Sequence, residues 1–513
     1  MNIRGMVRNN AYYDSVTLMQ VSRAVEEIEG VDKAMVSMGT DMNKELLKAA
    51  GLMTDEYAAA KPSDLIIAFV VNDGIDVDNI IKVIDTKLNA KAKNEKQEEV
   101  PPASIASAVK RNPEANISVI SLPGAYAASE VRKSLSKGLN VMLFSDNVSL
   151  EDEISLKKLA HEKGLLMMGP DCGTAIINNI GLCFANKVRK GNIGVIGASG
   201  TGTQEVTVII DHLGGGVTQV IGTGGRDLSK EVGGIMMLDA LEALNNDDNT
   251  DVIVLISKPP VEEIAEKIIG QSKKSKKDIV VCFINSDEKE SEGNIHFVSN
   301  LEEAAALAVE LATGNKNELT DEGFEIDIIK EQLGKGLTAT QKYVRGLFCG
   351  GTLCDEAASI FGRVMPEDVY SNVGKVNRLE NPLISVKHSF IDLGDDMFTV
   401  GKPHPMIEPV LRNKRLVEEA LNPETAIVLF DVELGYGSHR NPAKEAVEAV
   451  KEAKERLKEE GRNVLFVAYV LGTKEDLQGY EQQVRLLVDQ GVIVAKSNAR
   501  AAKLSLELIG GIK

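Results

Sequence analysis

The feature that most constrains the fold is a long alternation of short apolar runs with segments of helical periodicity. The runs lie at residues 117–121, 140–144, 165–168, 192–196, 217–221, 251–256 and 278–284, and again at 344–349, 389–393, 426–432, 464–469 and 492–495. Continuously apolar runs with helices between them are typical of parallel sheets covered by helices on both faces. The sequence therefore predicts an α/β fold with several parallel-sheet domains of Rossmann-like and flavodoxin-like type.

The chain of 513 residues is long enough for several domains. Residues 1–100 predict a small α/β unit, and the charged stretch 90–102, which ends in two prolines, is expected to be a solvated linker. The segments that follow are a Rossmann-like domain at 103–188, a flavodoxin-type domain at 189–314, a polar connector at 315–340 and a second flavodoxin-type domain at 341–513.

Composition argues against several classes of partner. The net charge is −18, Trp is absent and aromatic residues make up 4%, so the chain offers little to a phosphate backbone or to stacked bases. No apolar run approaches the length of a membrane span. The five cysteines form no C-x-x-C pair and no zinc-type cluster. We therefore expect a cytoplasmic protein with reduced thiols, no metal site, and no nucleic acid or membrane partner.

A glycine-rich turn, G-N-I-G-V-I-G-A-S-G-T-G-T-Q-E at residues 191–205, joins one apolar run to the next helix. Ser199, Gly200 and Thr201 stand at the predicted helix start, where backbone N–H groups and the helix dipole favour an anion. The loop lacks the lysine of a Walker A motif and the spacing of a dinucleotide fingerprint. The residues alone leave two interpretations equally open, an anion site and a tight packing turn.

The same pattern recurs later in the chain. Gly350, Gly351 and Thr352 follow the apolar run at 344–349, and Gly394 follows the run at 389–393. Ligands of open α/β sheets bind at the carboxyl ends of the strands. If two such helix starts face one cavity, their N–H groups would bind a phosphate or a carboxylate.

Several motifs resemble those of succinyl-CoA synthetases. Residues 140–174 resemble the segment ahead of the ligand loop in the α subunit, 194–205 its strand, S-G-T turn and helix, and 222–227 its G-I-G-G-D segment. Residues 341–513 resemble the CoA-ligase domain of the β subunit. Longer motifs identify the sequence as a member of the FdrA family; they lie at 142–170, 191–202, 224–234, 257–260 and 391–412.

The resemblance implies an acyl-CoA-synthetase-like protein in a succinyl-CoA-synthetase-like arrangement, with a CoA-binding-like domain at 103–188. Some FdrA members are a subunit of oxamate carbamoyltransferase in anaerobic allantoin breakdown, together with two other subunits. It thus implies phosphorolysis of oxalurate to oxamate and carbamoyl phosphate, with small anionic substrates, phosphate as co-substrate and an oligomeric assembly. CoA is a possible but not required ligand.

The sequence departs from succinyl-CoA synthetases at the phosphohistidine. Those enzymes carry phosphate on a histidine in a G-H-A-G-A loop after the strand equivalent to 278–284. Here residues 285–293 read N-S-D-E-K-E-S-E-G, and His296 lies in an apolar strand context that favours a structural role. Lys258, within S-K-P-P, stands where those enzymes have a glutamate beside the phosphohistidine. We expect no phosphohistidine relay in this chain.

Positive charge at the predicted site would come from few residues. Arg226 follows Gly224 and Gly225 at a strand end. Its guanidinium either binds an anion in the site or forms a surface ion pair. Lys258 stands at another strand end, with the same alternatives. His404, between two prolines, is either a general acid/base or oxyanion donor, or part of a helix-entry turn.

The residues leave two other functions open. One is an acyl-CoA synthetase subunit, an acid–thiol ligase, that acts on another acid. The other is a scaffold subunit without catalysis, whose partners hold the active site. The missing histidine loop favours carbamoyl transfer over the ligase, because phosphorolysis needs no covalent enzyme nucleophile.

Overall fold

The computed structural model describes residues 2–11, 13, 15–26, 28, 30–72, 75–94, 101–284, 289–319, 337–399 and 402–510. Much of the expected linker (95–100), part of the loop at 285–293 and most of the expected connector (320–336) lie outside these residues. The chain divides into two compact units, Met1–Ala103 and Ser104–Lys513. None of the described helices has the length and apolar character needed to span a bilayer.

The first unit is a three-stranded antiparallel sheet with helices. Its elements are β1 Asn2–Arg8, α1 Ser15–Glu26, β2 Val31–Met38, α2 Asp41–Ala49, α3 Asp55–Ala59, β3 Leu65–Val71 and α4 Val77–Asn94. The sheet order is β1-β3-β2, and β3 is central because all seven of its residues, L-I-I-A-F-V-V, are buried. The strand at 2–8 was not predicted, and α4 continues through the first residues of the expected linker.

The second unit begins with a small parallel sheet of order β4-β5-β6. Its elements are α5 Ile105–Arg111, β4 Ile117–Ile120, α6 Gly124–Ser136, β5 Asn140–Leu143, α7 Leu150–Glu162 and β6 Met167–Met168. The run predicted at 165–168 therefore forms a strand over two residues only. Ser149 caps α7 by accepting a hydrogen bond from the N–H of Asp152.

A seven-stranded sheet of order β13-β12-β11-β9-β10-β7-β8 follows. Its elements are β7 Thr174–Ile177, β8 Ile180–Cys183, β9 Lys190–Gly197, α8 Gly200–His212, β10 Val217–Gly222, α9 Ile235–Asn245, β11 Val252–Ser257, α10 Glu262–Ser272, β12 Asp278–Phe283, β13 Ile295–Val298 and α11 Leu301–Thr313. The pairs are parallel except those of the β7–β8 hairpin. Because this hairpin belongs to the larger sheet, the sheet boundary falls before residue 174 and not at the expected 188.

The last sheet is parallel, with order β16-β15-β17-β14-β18-β19-β20. Its elements are β14 Tyr343–Phe348, α12 Gly351–Gly362, β15 Val369–Ser371, β16 Asn377–Arg378, β17 His388–Asp392, α13 Asp396–Thr399, α14 Val410–Leu421, β18 Thr425–Glu433, α15 Pro442–Glu459, β19 Leu465–Leu471, α16 Tyr480–Val488, β20 Ile493–Ala495 and α17 Asn498–Gly510. Continuous apolar strands between helical layers give the α/β fold that the sequence predicts.

The two seven-stranded domains pack against each other through α8. Ten consecutive residues of this helix, from Gly202 to Asp211, are buried. Val208 packs in the core cluster of the C-terminal domain, whereas Val206 and Ile209 pack in the cluster of their own domain. A helix buried all round must be held by both neighbours, so α8 fixes one sheet relative to the other.

Candidate active site

The carboxyl ends of strands from all three sheets of the second unit border one cavity of about 1060 Å³. The turns that line it include those after β4, β5, β6, β9, β10, β11, β14 and β17. All twelve residues predicted as site residues line this cavity: Ser199, Gly200, Thr201, Gly224, Gly225, Arg226, Lys258, Gly350, Gly351, Thr352, Gly394 and His404. The segments that the sequence argument places at strand ends therefore border one cavity.

The starts of α8 and α12 meet at this cavity. Ser199 caps α8, its Oγ accepting a hydrogen bond of 3.1 Å from the N–H of Gly202. The Ser199 hydroxyl is also hydrogen bonded to the hydroxyl of Thr352 in the first turn of α12. A Cβ on Gly350 would lie 2.8 Å from the Thr201 side chain, so the two helix starts are in direct contact. Two N-terminal dipoles thus converge on one place.

Two buried glutamates hold this arrangement, because each accepts a hydrogen bond from the start of a helix in the other domain. Glu205, in the second turn of α8, accepts a hydrogen bond of 3.1 Å from the N–H of Asn498 at the start of α17. Glu356, in the second turn of α12, accepts one of 3.3 Å from the N–H of Leu301 at the start of α11. Asn498 Nδ2 also donates to Glu356 at 2.8 Å. Each domain therefore caps a helix of the other, which fixes the relative position of α8 and α12.

Two of the predicted N–H donors are already used, contrary to the expectation for them. The N–H of Gly350 donates to Asp431 Oδ2 at 3.1 Å, and the N–H of Gly394 donates to Asp392 Oδ1 at 2.8 Å. The buried carboxylate of Asp431 also accepts the N–H of Cys349 at 2.8 Å. These glycines therefore shape the turns, and the donors open to a ligand belong to the first turns of α8 and α12.

Arg226 lies on the cavity wall but is engaged by the protein. Its Nε is 2.9 Å from the buried carboxylate of Glu153, and its Nη2 donates to the carbonyl of Val148 at 2.7 Å. Its side chain remains half exposed. The guanidinium therefore joins the turn after β10 to the α7 segment, and the ion pair does not exclude a ligand contact.

A buried lysine that was not predicted as a site residue completes this junction. Lys157 Nζ lies 3.0 Å from Glu153, donates to Asp227 Oδ1 at 2.8 Å and donates to the carbonyl of Thr223 at 2.9 Å. Asp227 also accepts from the N–H groups of Met236 and Met237. Lys157 and Asp227 are thus paired and hydrogen bonded, as burial requires, whereas Glu153 is held by its ion pairs with Lys157 and Arg226.

Lys258 is an exposed cation on the cavity wall. Within the described part of the chain, its ammonium group makes no ion pair or hydrogen bond. Its charge acts on Asp392 and Asp355, lowering the pKa of each against the larger effect of burial. Lys258 is thus available to an anionic ligand in the cavity.

His404 presents an N–H group to the cavity. Its Nδ1 accepts a hydrogen bond of 3.2 Å from the N–H of Met406, so the proton of a neutral ring is on Nε2. Burial lowers the pKa of His404 to about 4, which keeps the ring neutral near pH 7. A neutral ring whose Nδ1 is occupied is a hydrogen-bond donor through Nε2 and a poor nucleophile.

Two carboxyl groups that were not predicted as site residues have shifted pKa values. Burial, more than the neighbouring Asp395 and Asp431, raises the pKa of Asp392 to about 7. Desolvation within the cavity wall, and then the charge of Asp146, raise the pKa of Asp171 to about 6. A single sequence shows both only as strand-end carboxylates, and no further signal distinguishes them.

His296 is not at the cavity. It lies on β13, the edge strand of its sheet, and its Nε2 is 2.8 Å from Asp278 Oδ1. Cys172 and Cys349 line the cavity, but burial raises the pKa of both thiols, so neither is poised as a thiolate.

Three family models match the chain. They are a CoA-ligase domain at residues 347–508, a CoA binding domain at 188–284, and a domain described as "AllF, heavy metal-associated domain" at 1–102. The CoA binding match thus falls on the segment with the Ser199 turn, and not on 103–188.

The chain is similar along its whole length to YahF of Escherichia coli, an uncharacterized protein, with 48% identity over 99% of each chain. It is 28% identical to the α subunit 2 of an ADP-forming succinate–CoA ligase of Archaeoglobus fulgidus, over 33% of this chain and 60% of that protein. Among solved structures, ATP citrate lyase of Methanothrix soehngenii with citrate and coenzyme A aligns with 80% of this chain and 79% of its own, at 13% identity and a TM-score of 0.33.

The family models imply two ligands, CoA and a heavy metal, and the residues of this chain fit CoA only. The turn at Gly200 and Thr201 offers helix-start N–H groups beside open space, since a Cβ on Gly200 would meet nothing closer than 3.9 Å. It could hold a phosphate of CoA. The start of α6 has no room for a phosphate, because even a Cβ on Gly124 would lie 2.3 Å from the carbonyl oxygen of Asn147. A heavy metal does not fit residues 1–102, which contain no cysteine and no histidine.

Proposed function

Because this chain belongs to the FdrA family, we propose that it is a subunit of an oxamate carbamoyltransferase. The complex would cleave oxalurate with phosphate to give oxamate and carbamoyl phosphate. One observation carries the proposal: two helix starts, at Ser199 and Thr352, meet at a cavity whose described histidine, His404, is arranged as a donor. Such a site suits two anions that react directly, without a phosphorylated enzyme.

The described side chains have separate roles in this reaction. The first turns of α8 and α12 bind phosphate through N–H groups and the Ser199 and Thr352 hydroxyls. Lys258 binds the carboxylate of oxalurate. His404 Nε2 donates a hydrogen bond to the oxygen that becomes negative as phosphate attacks the ureido carbonyl. Holding both anions in one geometry supplies much of the rate.

The assembly and location are part of the same proposal. The subunit works with two further subunits in an oligomer. It acts in the cytoplasm, in keeping with five cysteines that are all free thiols.

The test is reconstitution. The chain is co-expressed with the products of its neighbouring genes, and carbamoyl phosphate formed from oxalurate and phosphate is measured. We expect turnover that depends on both substrates.

Ser199→Ala should raise the KM for phosphate by roughly 10-fold or more, since it removes a hydrogen bond to a charged group. The control is Ser136→Ala, on the exposed end of α6. Absence of carbamoyl phosphate refutes the proposal, and turnover unchanged in Ser199→Ala favours the scaffold.

The second candidate is a CoA-dependent acid–thiol ligase, favoured by the CoA-ligase and CoA binding matches. In it, the turn at Gly200 and Thr201 would hold a CoA phosphate. CoA-dependent thioester formation with ATP, trapped with hydroxylamine, would support this candidate. Labelling of the chain by ATP at a histidine would exclude the carbamoyl-transfer site as described.

A further inference from the structure

Asp392 is a carboxyl group on the wall of the cavity that the proposed binding roles leave unused. It ends β17, is 7% exposed and lines the cavity. We propose that Asp392 is the catalytic acid of the reaction, giving a proton to the leaving nitrogen of oxamate and regaining one from phosphate. This inference rests on the proposed carbamoyl transfer.

Backbone contacts fix the carboxyl group and leave one oxygen toward the cavity. Oδ1 accepts the N–H of Gly394 at 2.8 Å, and the backbone of Asp392 exchanges two hydrogen bonds with the side chain of Asn372, at 2.8 and 2.9 Å. Oδ2 lies 2.6 Å from the position that a Cβ would take on Gly351, the first residue of α12. Within the described part of the chain, Oδ2 has no hydrogen-bond partner. It therefore stands beside the helix start that would bind phosphate.

His404 stands on the other side of the same carboxyl group. A Cβ on Gly394 would lie 2.5 Å from His404 Nε2 and 3.1 Å from Asp392 Oδ1, so the two side chains converge at this glycine. A neutral imidazole N–H and a carboxyl group next to each other supply the oxyanion donor and the proton donor of one transition state.

The charges around Asp392 allow it to exchange a proton near neutral pH. The groups that face it are Asp395 on its own turn, Asp431 on β18, Lys258 after β11, the neutral His404, and the thiols of Cys349 and Cys354. Burial and the two carboxylates raise its pKa to about 7, against the lowering effects of the Gly394 N–H and Lys258. A general acid is most efficient when its pKa is close to the working pH.

The step balances without another reactant. An oxygen of hydrogen phosphate attacks the ureido carbon and forms the new C–O bond. The bond from that carbon to the oxamate nitrogen breaks, and the nitrogen takes the proton of Asp392. The phosphate proton then returns to Asp392, which leaves carbamoyl phosphate, oxamate and the original carboxylic acid.

The experiment compares the two directions of the reaction in the assembled complex. Phosphorolysis needs protonated Asp392, so kcat falls as pH rises through about 7. Synthesis of oxalurate from oxamate and carbamoyl phosphate passes through the same transition state and starts from the same carboxylic acid, so its kcat falls over the same range. Asp392→Asn keeps the acceptor for Gly394 and should lower kcat by at least roughly 100-fold. The titration of phosphate itself affects wild type and variant equally, so it cancels in the ratio of their rates.

Asp248→Asn is the matched control, with the same change of charge on an exposed residue that does not line the cavity. Phosphate binding by calorimetry, with inorganic phosphate as the probe, should be unchanged in Asp392→Asn. If wild-type complex makes carbamoyl phosphate while Asp392→Asn keeps its kcat, or if the two wild-type directions show opposite pH limbs, Asp392 is not the acid. If wild-type complex makes none, the proposed function itself fails.

Discussion

Replacing Glu205 with glutamine should stabilise the protein at alkaline pH and leave it nearly unchanged in acid. Burial, and then the charge of Glu356, raise the pKa of Glu205 to about 8, against an ordinary value of 4.5. The folded protein therefore binds this proton more tightly than the unfolded chain does. The stability associated with the proton is complete below pH 4.5 and is lost as pH rises to 8.

The magnitude follows from linkage. Each pH unit between the two pKa values costs about 1.36 kcal/mol, so wild-type protein loses roughly 3 kcal/mol from this residue between about pH 5.5 and 7.5. The glutamine side chain in Glu205→Gln keeps an oxygen for the N–H of Asn498 and has no charge to bury. For cooperative unfolding of residues 104–513, a difference of that size changes the melting temperature by roughly 3–4 °C.

The assay is thermal unfolding of wild type, Glu205→Gln and the exposed control Glu455→Gln at half-unit steps from about pH 5 to 8. We expect the melting temperature of Glu205→Gln to exceed that of wild type by a margin that grows with pH, and Glu455→Gln to follow wild type. A difference in melting temperature that does not change with pH would refute the raised pKa of Glu205. The variant would then act through the geometry of the hydrogen bond to Asn498 and not through the charge.

Four further outcomes are expected. Lys157→Met should destabilise the protein by about 3–5 kcal/mol, since it leaves buried carboxylates unpaired, as measured by urea unfolding. Ser199→Ala should cost about 1 kcal/mol by loss of the α8 cap in the same measurement. Lys258→Ala should weaken oxalurate binding in calorimetry with under about 0.5 kcal/mol change in stability, whereas the exposed Lys230→Ala should change neither. His404→Gln should lower kcat by roughly 100-fold if Nε2 stabilises the oxyanion, and equal kcat would exclude that role.

The fold class and the position of the site could be predicted because they depend on local patterns. The runs at 192–196 and 251–256 contain no polar side chain after their first residue, a pattern typical of strands that are covered on both faces. Parallel strands bring their carboxyl ends to one edge, so Ser199 and Lys258 could be assigned to one region of their sheet without knowing any contact. Gly351 follows a strand of another sheet, and its place beside Ser199 could not be assigned in this way. The strand at 2–8 escaped prediction because it has mixed polarity.

The sequence alone determined that two glycine-rich helix starts exist, and that neither is followed by the histidine loop of succinyl-CoA synthetases. Only the tertiary structure decided that these starts touch, because the caps that align them join Glu205 to Asn498 and Glu356 to Leu301 across 293 and 55 residues. The same is true of Lys157 with Asp227, 70 residues apart, and of Asp392, whose pKa depends on what surrounds it. Burial and long-range pairing are properties of the packed chain, and a residue's neighbours in sequence do not specify them.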